Sequence, residues 1–311
     1  MPGTGKAAMV PVMSAPSASP RTIFDRQRLA ERRARLASGP ENDPFFLLDR
    51  AGEDLLDRLS VITRQFPLAV DLATPDARLA EALAAHPAIG TMLRLAPKGR
   101  ADGVAIADEE WLPLAPQSVD AVFSALALQA VNDLPGALVQ IRRALKPDGL
   151  FLGALIGGNT LKELRGVLLE ADAERGGAAM RVAPFIDVRD FGQLLQRAGF
   201  ALPVTDVDTL TVRYDSLFHL VRDLRAMGAN APLGNSGPPL SRTTALRAAA
   251  LYAERHGDAD GRLRATVEIV SFSGWAPHES QQKPLRPGSA RMRLADALNT
   301  SEIGAGDKAG R

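Results

Sequence analysis

Four apolar runs in this 311-residue chain lead into groups able to do chemistry. The run FPLAVDL (66–72) closes on Asp71 and Leu72 and continues into Ala73 and Thr74. VAI (104–106) leads to Asp108 and Glu109, and VDAVFS (119–124) ends in Ser124, followed by Ala125 and Leu126. LFLGALI (150–156) is followed by Gly157, Gly158 and Asn159. In an open α/β sheet, ligands bind beyond the carboxyl ends of the strands. If these runs are parallel strands, all of these residues share one edge and form the expected binding site.

Other chemistries find less support. The chain has no cysteine, which excludes disulfides, thiolate catalysis and cysteine-based metal centres. His86, His219, His256 and His278 lie far apart in sequence with no metal-ligand spacing, so no metal is expected. His278-Glu279-Ser280 is read as a structural or partner-docking segment in preference to an acid–base pair. Gly3-Thr4-Gly5-Lys6 lacks the first glycine and the preceding strand of a phosphate loop. No catalytic base is identifiable. With 37 basic against 36 acidic residues, the net charge of +1 gives no pull toward nucleic acid. No apolar run is long enough to span a membrane. The absence of cysteine fits a reducing compartment, and a cytoplasmic protein is expected.

The elements that must position these residues alternate between short apolar runs and helical periodicity, the pattern of βα units. Residues 1–20 are expected to be a disordered leader, 21–298 one domain and 299–311 a disordered tail. Within the domain, 21–62 form a helical extension. Its first part, Arg21–Leu36, carries six arginines and is read as a solvated basic face, with docking to an acidic partner or RNA as the lesser alternative. Phe45–Ile62 is a second helix. Expected strands are Phe66–Leu72, Thr91–Leu95, Val104–Ile106, Val119–Ser124, Leu150–Leu155, Thr209–Tyr214 and Thr266–Phe272. Expected helices are Ala77–Ala85, Leu134–Leu145, Thr160–Glu174 and Val188–Ala198. Two more, Leu217–Met227 and Thr243–Arg255, form a lid insertion over about 215–258, joined by a mobile loop over Gly228–Leu240. Lys146-Pro147-Asp148-Gly149 is a turn. Asn159 or Thr160 is either the N-cap of the following helix or part of a substrate-facing turn. Tyr214 and Trp275 flank the lid, as core aromatics or as covers of the pocket.

Asp108-Glu109-Glu110-Trp111-Leu112-Pro113-Leu114, with Ser118–Val122 and the LKPDG turn behind it, resembles the segment of class I methyltransferases that reads adenine. The stretches IFDRQ, FPLAVDL, ADEEWLPL, VNDLPGAL, GGNTLKELR, RAGF, HESQQKP and GSA resemble the mitochondrial complex I assembly factors of methyltransferase fold, which act as arginine hydroxylases. The likeness to malonyl-acyl carrier protein methyltransferases is looser. The resemblance to the assembly factors runs from about Ile23 to about Leu294, and GGNTLKELR and GWAPHESQQKP are its most specific parts. It implies a Rossmann-like fold with a mostly parallel seven-stranded sheet, helices on both faces and a helical lid. It implies S-adenosylmethionine as cofactor, held by Asp71, Leu72, Ala73, Thr74, Asp108, Glu109, Ser124, Ala125 and Leu126. Asp108 would accept a hydrogen bond from the adenine amino group, since a carboxylate accepts and an exocyclic amine donates. A respiratory complex I subunit is the implied client.

The chain departs from that family where the cofactor should lie. The usual DxGxGxG loop reads Asp71-Leu72-Ala73-Thr74-Pro75-Asp76-Ala77, without a glycine. The ribose-binding acid after the second strand is replaced in LRLAPK (93–98), where Pro97 takes its place. Gln129-Ala130 stands for a His-Trp pair. Two functions follow as expectations: a S-adenosylmethionine-dependent enzyme that modifies a protein side chain, or a non-catalytic assembly factor with a decayed cofactor site.

Overall fold

The computed structural model describes residues 22–36, 45–97, 104–229, 233–234, 237–282, 292 and 294–300. The expected leader (1–20), most of the expected tail (301–311) and parts of the expected mobile loop (230–232 and 235–236) lie outside the described residues. The chain divides into two compact units, Met1–Pro277 and His278–Arg311.

The first unit is built on a seven-stranded sheet in the order β3-β2-β1-β4-β5-β7-β6. Its strands are β1 (Phe66–Leu72), β2 (Ile89–Ala96), β3 (Val104–Ile106), β4 (Val119–Ala125), β5 (Leu145–Ile156), β6 (Ala201–Tyr214) and β7 (Leu263–Trp275). The first five run parallel, and β7 is antiparallel to both β5 and β6. The helices are α1 (Arg26–Leu36), α2 (Phe46–Ser60), α3 (Arg78–Ala84), α4 (Leu134–Ala144), α5 (Lys162–Ala173), α6 (Val188–Arg197), α7 (Leu217–Ala226) and α8 (Arg242–His256), with a short 3-10 turn over Leu128–Ala130.

Central strands are apolar on both faces because helices cover both. Val70, Val122, Phe151 and Phe272 pack toward Leu138 and Ile141 of α4 and Phe191 and Leu195 of α6. Their strand neighbours Ala69, Phe123, Leu152 and Ile269 pack toward Leu55 and Leu59 of α2 and Leu79 and Leu83 of α3. A third cluster joins α5, α7 and α8 through Leu164, Leu220, Leu251 and Tyr252. Strand β6, at the sheet edge, is largely exposed, and with β7 it runs six to eight residues longer than the β-branched runs alone indicate. The long antiparallel ladder from Ala201↔Trp275 to Tyr214↔Leu263 carries the extension.

The expected turn at Lys146–Gly149 is a bulge inside β5: Val119 pairs with Leu145, and Ala121 already with Leu150. Asp148, not glycine, takes the left-handed conformation (φ 62°), which aspartate tolerates better than most residues. Gly149 is needed for space, since a Cβ there would lie 2.8 Å from the Lys146 carbonyl oxygen. Helix α4 starts as expected, with the Asp133 carboxylate accepting the Gly136 N–H at 2.9 Å and Pro135 in the first turn. Among the described residues, no helix is long and apolar enough to cross a membrane. In the second unit, Leu294–Ala297 form a single helical turn, and the His278 Nδ1 and Ser280 Oγ hydrogen-bond at 2.6 Å.

Candidate functional site

Parallel pairing of β1, β2, β3 and β4 brings their carboxyl ends to one edge, so Asp71–Thr74, Asp108–Glu109 and Ser124–Leu126 do come together. Hydrogen bonds tie two of the three groups. The buried Ser124 hydroxyl donates to the Leu72 carbonyl at 2.9 Å, and the Ala125 N–H donates to the Thr74 hydroxyl at 3.2 Å. Thr74 in turn donates its hydroxyl proton to the Asp71 carboxylate. Two turns at this edge are strained: Ala73 (φ 58°) and Leu126 (φ 49°) are left-handed without being glycine. The Ala73 N–H still finds the Leu95 carbonyl at 2.7 Å, and the Leu126 N–H finds that of Ala154 at 2.8 Å. Ala73 therefore keeps the backbone shape of a glycine turn while adding a methyl group.

Arg94 on β2 is the residue that sequence reasoning missed here. It stands opposite Asp71 in the parallel register. Its Nε lies 3.3 Å from the Asp71 carboxylate, and its Nη2 donates to the Thr74 carbonyl at 3.0 Å. Burial raises the Asp71 carboxyl to about 6, while the Thr74 hydroxyl and the Arg94 guanidinium pull it back toward the charged form. An unfolded aspartate titrates near 3.9. The folded chain therefore holds this proton more tightly. The resulting stabilisation is full below about pH 4 and is lost as pH rises through about 6, a change on the order of 3 kcal/mol. The Asp71→Asn chain should thus lose less stability than the natural chain between about pH 4 and 6 in urea titrations. Parallel stability curves for the two chains would contradict this.

Helix α1 is neither a solvated basic face nor an open docking surface at its key positions. Arg26, 14% exposed, reaches the carboxylates of Asp108 and Glu109 and lies 3.4 Å from that of Glu110. Burial opposes its charge, but Glu109, Asp108 and Glu110 together raise its pKa above the ordinary value. Burial likewise raises the Glu109 carboxyl, against the pull of Arg26. Arg33 donates to the Leu126 carbonyl at 3.2 Å. Burial lowers its pKa, and Glu109 opposes the shift. Asn132 clamps the chain ahead of α1: its side-chain oxygen accepts the N–H groups of Ile23 and Phe24, each at 2.8 Å, and its amide donates to the Phe24 carbonyl at 3.1 Å. The available signal was charge complementarity between an arginine-rich segment and the Asp108-Glu109-Glu110 triplet; spacing along the chain does not reveal it.

Beyond the strand ends lies an apolar cavity of about 110 Å³, bordered by Phe24, Leu29, Pro75, Leu126, Phe185 and Met227. Among the described residues, Arg33 is its one charged lining residue. The Gly157–Thr160 segment does not face it as a substrate turn. Asn159 gives its N–H and side-chain amide to the Glu268 carboxylate, and Thr160 bonds the Glu268 backbone. Neither caps α5: the N-cap is Leu161 in a left-handed conformation (φ 55°). Tyr214 packs into the α5–α7–α8 cluster, and neither it nor Trp275 lines the cavity. Among the described residues, no group of three or more His, Cys, Asp or Glu is arranged to hold a metal ion.

A sheet with five parallel strands and an antiparallel β7 between β5 and β6, with its site at the strand ends, defines a protein of class I methyltransferase fold. Residues 69–153 match the methyltransferase domain family. The crystal structure of YcgJ from Bacillus subtilis superposes with a TM-score of 0.50 at 12% identity, covering 73% of this chain and 98% of that one, and shares the fold. The particular family is shown by closer relatives. The chain is 38% identical over 292 residues to the mitochondrial arginine-hydroxylase NDUFAF5 of Danio rerio, covering 90% of this chain and 91% of the relative. It is 40% identical over 294 residues to that of Homo sapiens, covering 90% and 85%. The chain belongs to the arginine-hydroxylase NDUFAF5 family. A malonyl-[acyl-carrier protein] O-methyltransferase of Laribacter hongkongensis is 40% identical over a shorter stretch, 61% of this chain and 62% of the relative. These vertebrate relatives are named as mitochondrial, which corrects the expectation of a cytoplasmic protein.

Proposed function

We propose that this protein modifies an arginine side chain of a client protein in respiratory complex I assembly, on a methyltransferase scaffold whose nucleotide site is kept at one end and rewritten at the other. The observation that carries the reading is the relationship to proteins named arginine-hydroxylase across 90% of the chain, far beyond the methyltransferase domain itself. Segments outside that domain line much of the cavity, with Phe24, Leu29 and Arg33 from the N-terminal extension and Phe185, Met227, Gly228 and Ala229 from the region after β5, against Pro75 and Leu126 of the domain. At about 110 Å³ the cavity is smaller than the roughly 300–1,000 Å³ of small-molecule sites. It has room for the aliphatic part of one client side chain. From the region between β6 and β7, only the segment directly after α7 borders the cavity, through Met227, Gly228 and Ala229. Hydroxylation inserts oxygen into a C–H bond, a two-electron oxidation for which dioxygen would supply the inserted atom and an external two-electron reductant, with two protons, would carry the second oxygen away as water. The chain's own residues contribute positioning and the exclusion of water.

S-adenosylmethionine fits this site at its adenine end only. Asp108 offers the carboxylate that accepts from the adenine amino group, and Glu109 the adjoining backbone. Leu72, Ser124, Ala125 and Leu126 would border the remainder. The ribose and amino-acid end does not fit in the usual way: Ala73 and Pro75 replace glycines, Pro97 replaces an acid, and Arg94 is drawn onto Asp71 and Thr74. That last contact favours a second reading, a non-catalytic assembly factor that binds its client with a degenerate cofactor site.

Calorimetry with S-adenosylmethionine and S-adenosylhomocysteine separates the two. The enzyme reading expects binding that Asp108→Ala abolishes. The non-catalytic reading expects no heat at millimolar ligand, with capture of a complex I subunit unaffected by the same substitution. Mass spectrometry of the captured client would reveal an added oxygen on arginine only under the first reading.

A further inference from the structure

We infer that α1 is a tethered gate: Arg26 competes for one oxygen of the carboxylate meant for adenine while the helix covers the apolar cavity, so its departure frees that oxygen and opens the cavity together. The inference rests on the assignment of Asp108 to adenine made above. Arg26 and the Glu110 N–H, the latter at 2.7 Å, share a single oxygen of Asp108. A guanidinium bound there competes with an amine for that oxygen, and the half-exposed carboxylate keeps its other oxygen for a weaker approach. The same helix covers the cavity with Leu29 and Arg33, and Phe24 just ahead of it closes the rim. One movement therefore uncovers both places.

The attachment of this segment is suited to release. Its described apolar anchors are few: Phe24, Leu29 and Ala30 are buried. The rest of its hold is polar, through Arg26, Arg33 and the Asn132 clamp. Segments held by few apolar contacts open at lower free energy than the core. The connection between α7 and α8 is fastened to the same segment, with the Gly234 N–H donating to the Ile23 carbonyl at 2.9 Å and Phe24 bridging Leu233. Opening α1 thus also releases Leu233 and Gly234 from the segment.

The test compares the full natural chain with Arg26→Ala and Asn132→Ala. Hydrogen exchange is followed at residues 26–33, and S-adenosylhomocysteine and adenosine binding by calorimetry. Asn132→Ala loosens the clamp while leaving Arg26 and all three carboxylates in place. Both variants are expected to exchange at α1 on the order of tenfold faster, with β1 and β4 unchanged. Since apparent affinity scales with the fraction of open molecules, both should bind S-adenosylhomocysteine more tightly, on the order of tenfold for Arg26→Ala. Faster exchange with unchanged affinity overturns the gate and leaves the nucleotide reading standing. Unchanged exchange at α1 in both variants overturns the gate directly. Absence of binding by all three chains overturns the adenine assignment and the gate with it.

Discussion

A chain carrying Ala73→Gly, Pro75→Gly and Pro97→Asp is expected to bind S-adenosylhomocysteine on the order of 10- to 100-fold more tightly than the natural chain. The gain has two sources. Aspartate directly after β2 supplies a charge-assisted acceptor for a ribose hydroxyl, worth about 1.5–3 kcal/mol, or roughly a factor of ten to above a hundred in affinity. Glycine at 73 and 75 removes a methyl group and a ring from the turn beside it and restores an N–H at 75. The turn itself should not collapse, because Ala73 already holds the left-handed shape that glycine adopts freely (φ 58°). Relief of that strain, about 1–2 kcal/mol, is about half offset by the backbone entropy that glycine loses on folding, about 0.5–1 kcal/mol. Ala73→Gly alone should therefore shift stability little. Calorimetry of the triple variant checks the affinity. Equal affinity in both chains would mean that the loop and the ribose position are not what limits binding.

Gly153→Val should cost about 3 kcal/mol or more of folding stability, a fall in melting temperature on the order of 10 °C for a domain of this size. Gly153 lies in β5, between β4 and β7. A Cβ there would come within 2.5 Å of the Ser124 carbonyl oxygen and 2.6 Å of the Phe272 ring. The backbone contact cannot give way without separating β4 from β5, and Phe272 packs on Phe151 and Phe191 at ring-centre distances of 4.8 and 4.7 Å. Because β4 carries Ser124–Leu126, the site would be displaced together with the core. Gly177→Ala is the matched control: nothing lies within 4 Å of its would-be Cβ, and its effect should stay within about 0.5 kcal/mol. Thermal unfolding followed by circular dichroism measures both. A melting temperature for Gly153→Val near that of the control would contradict the packing argument.

Much of the fold was legible because its signals are local. Phe66–Leu72 and Val104–Ile106 are strands over the bounds their apolar runs mark, and α4 and α6 begin at aspartate caps that periodicity alone places within a residue or two. The bulge at Lys146–Gly149 and the N-cap at Leu161 were less legible. Each depends on a partner distant in sequence: Val119 and the Asp120 carboxylate, which accepts from Lys146 at 2.9 Å, for the bulge, and Glu268 for the side chains of Asn159 and Thr160.

By itself, the sequence determined the order of the βα units, the grouping of Asp71–Thr74, Asp108–Glu109 and Ser124–Leu126 at one edge, and the family through motifs such as GGNTLKELR. Alternation, caps and motifs are written in neighbouring residues, and parallel strands place their ends together without further instruction. Only the tertiary structure decided what those groups do for one another. Arg94 meets Asp71 across the β1–β2 register, and Arg26 crosses from the N-terminal extension to three acids more than eighty positions away. The physical reason is that charge pairing acts through space. A basic helix looks solvated in sequence until the fold sets acids against it and withdraws both partners from water.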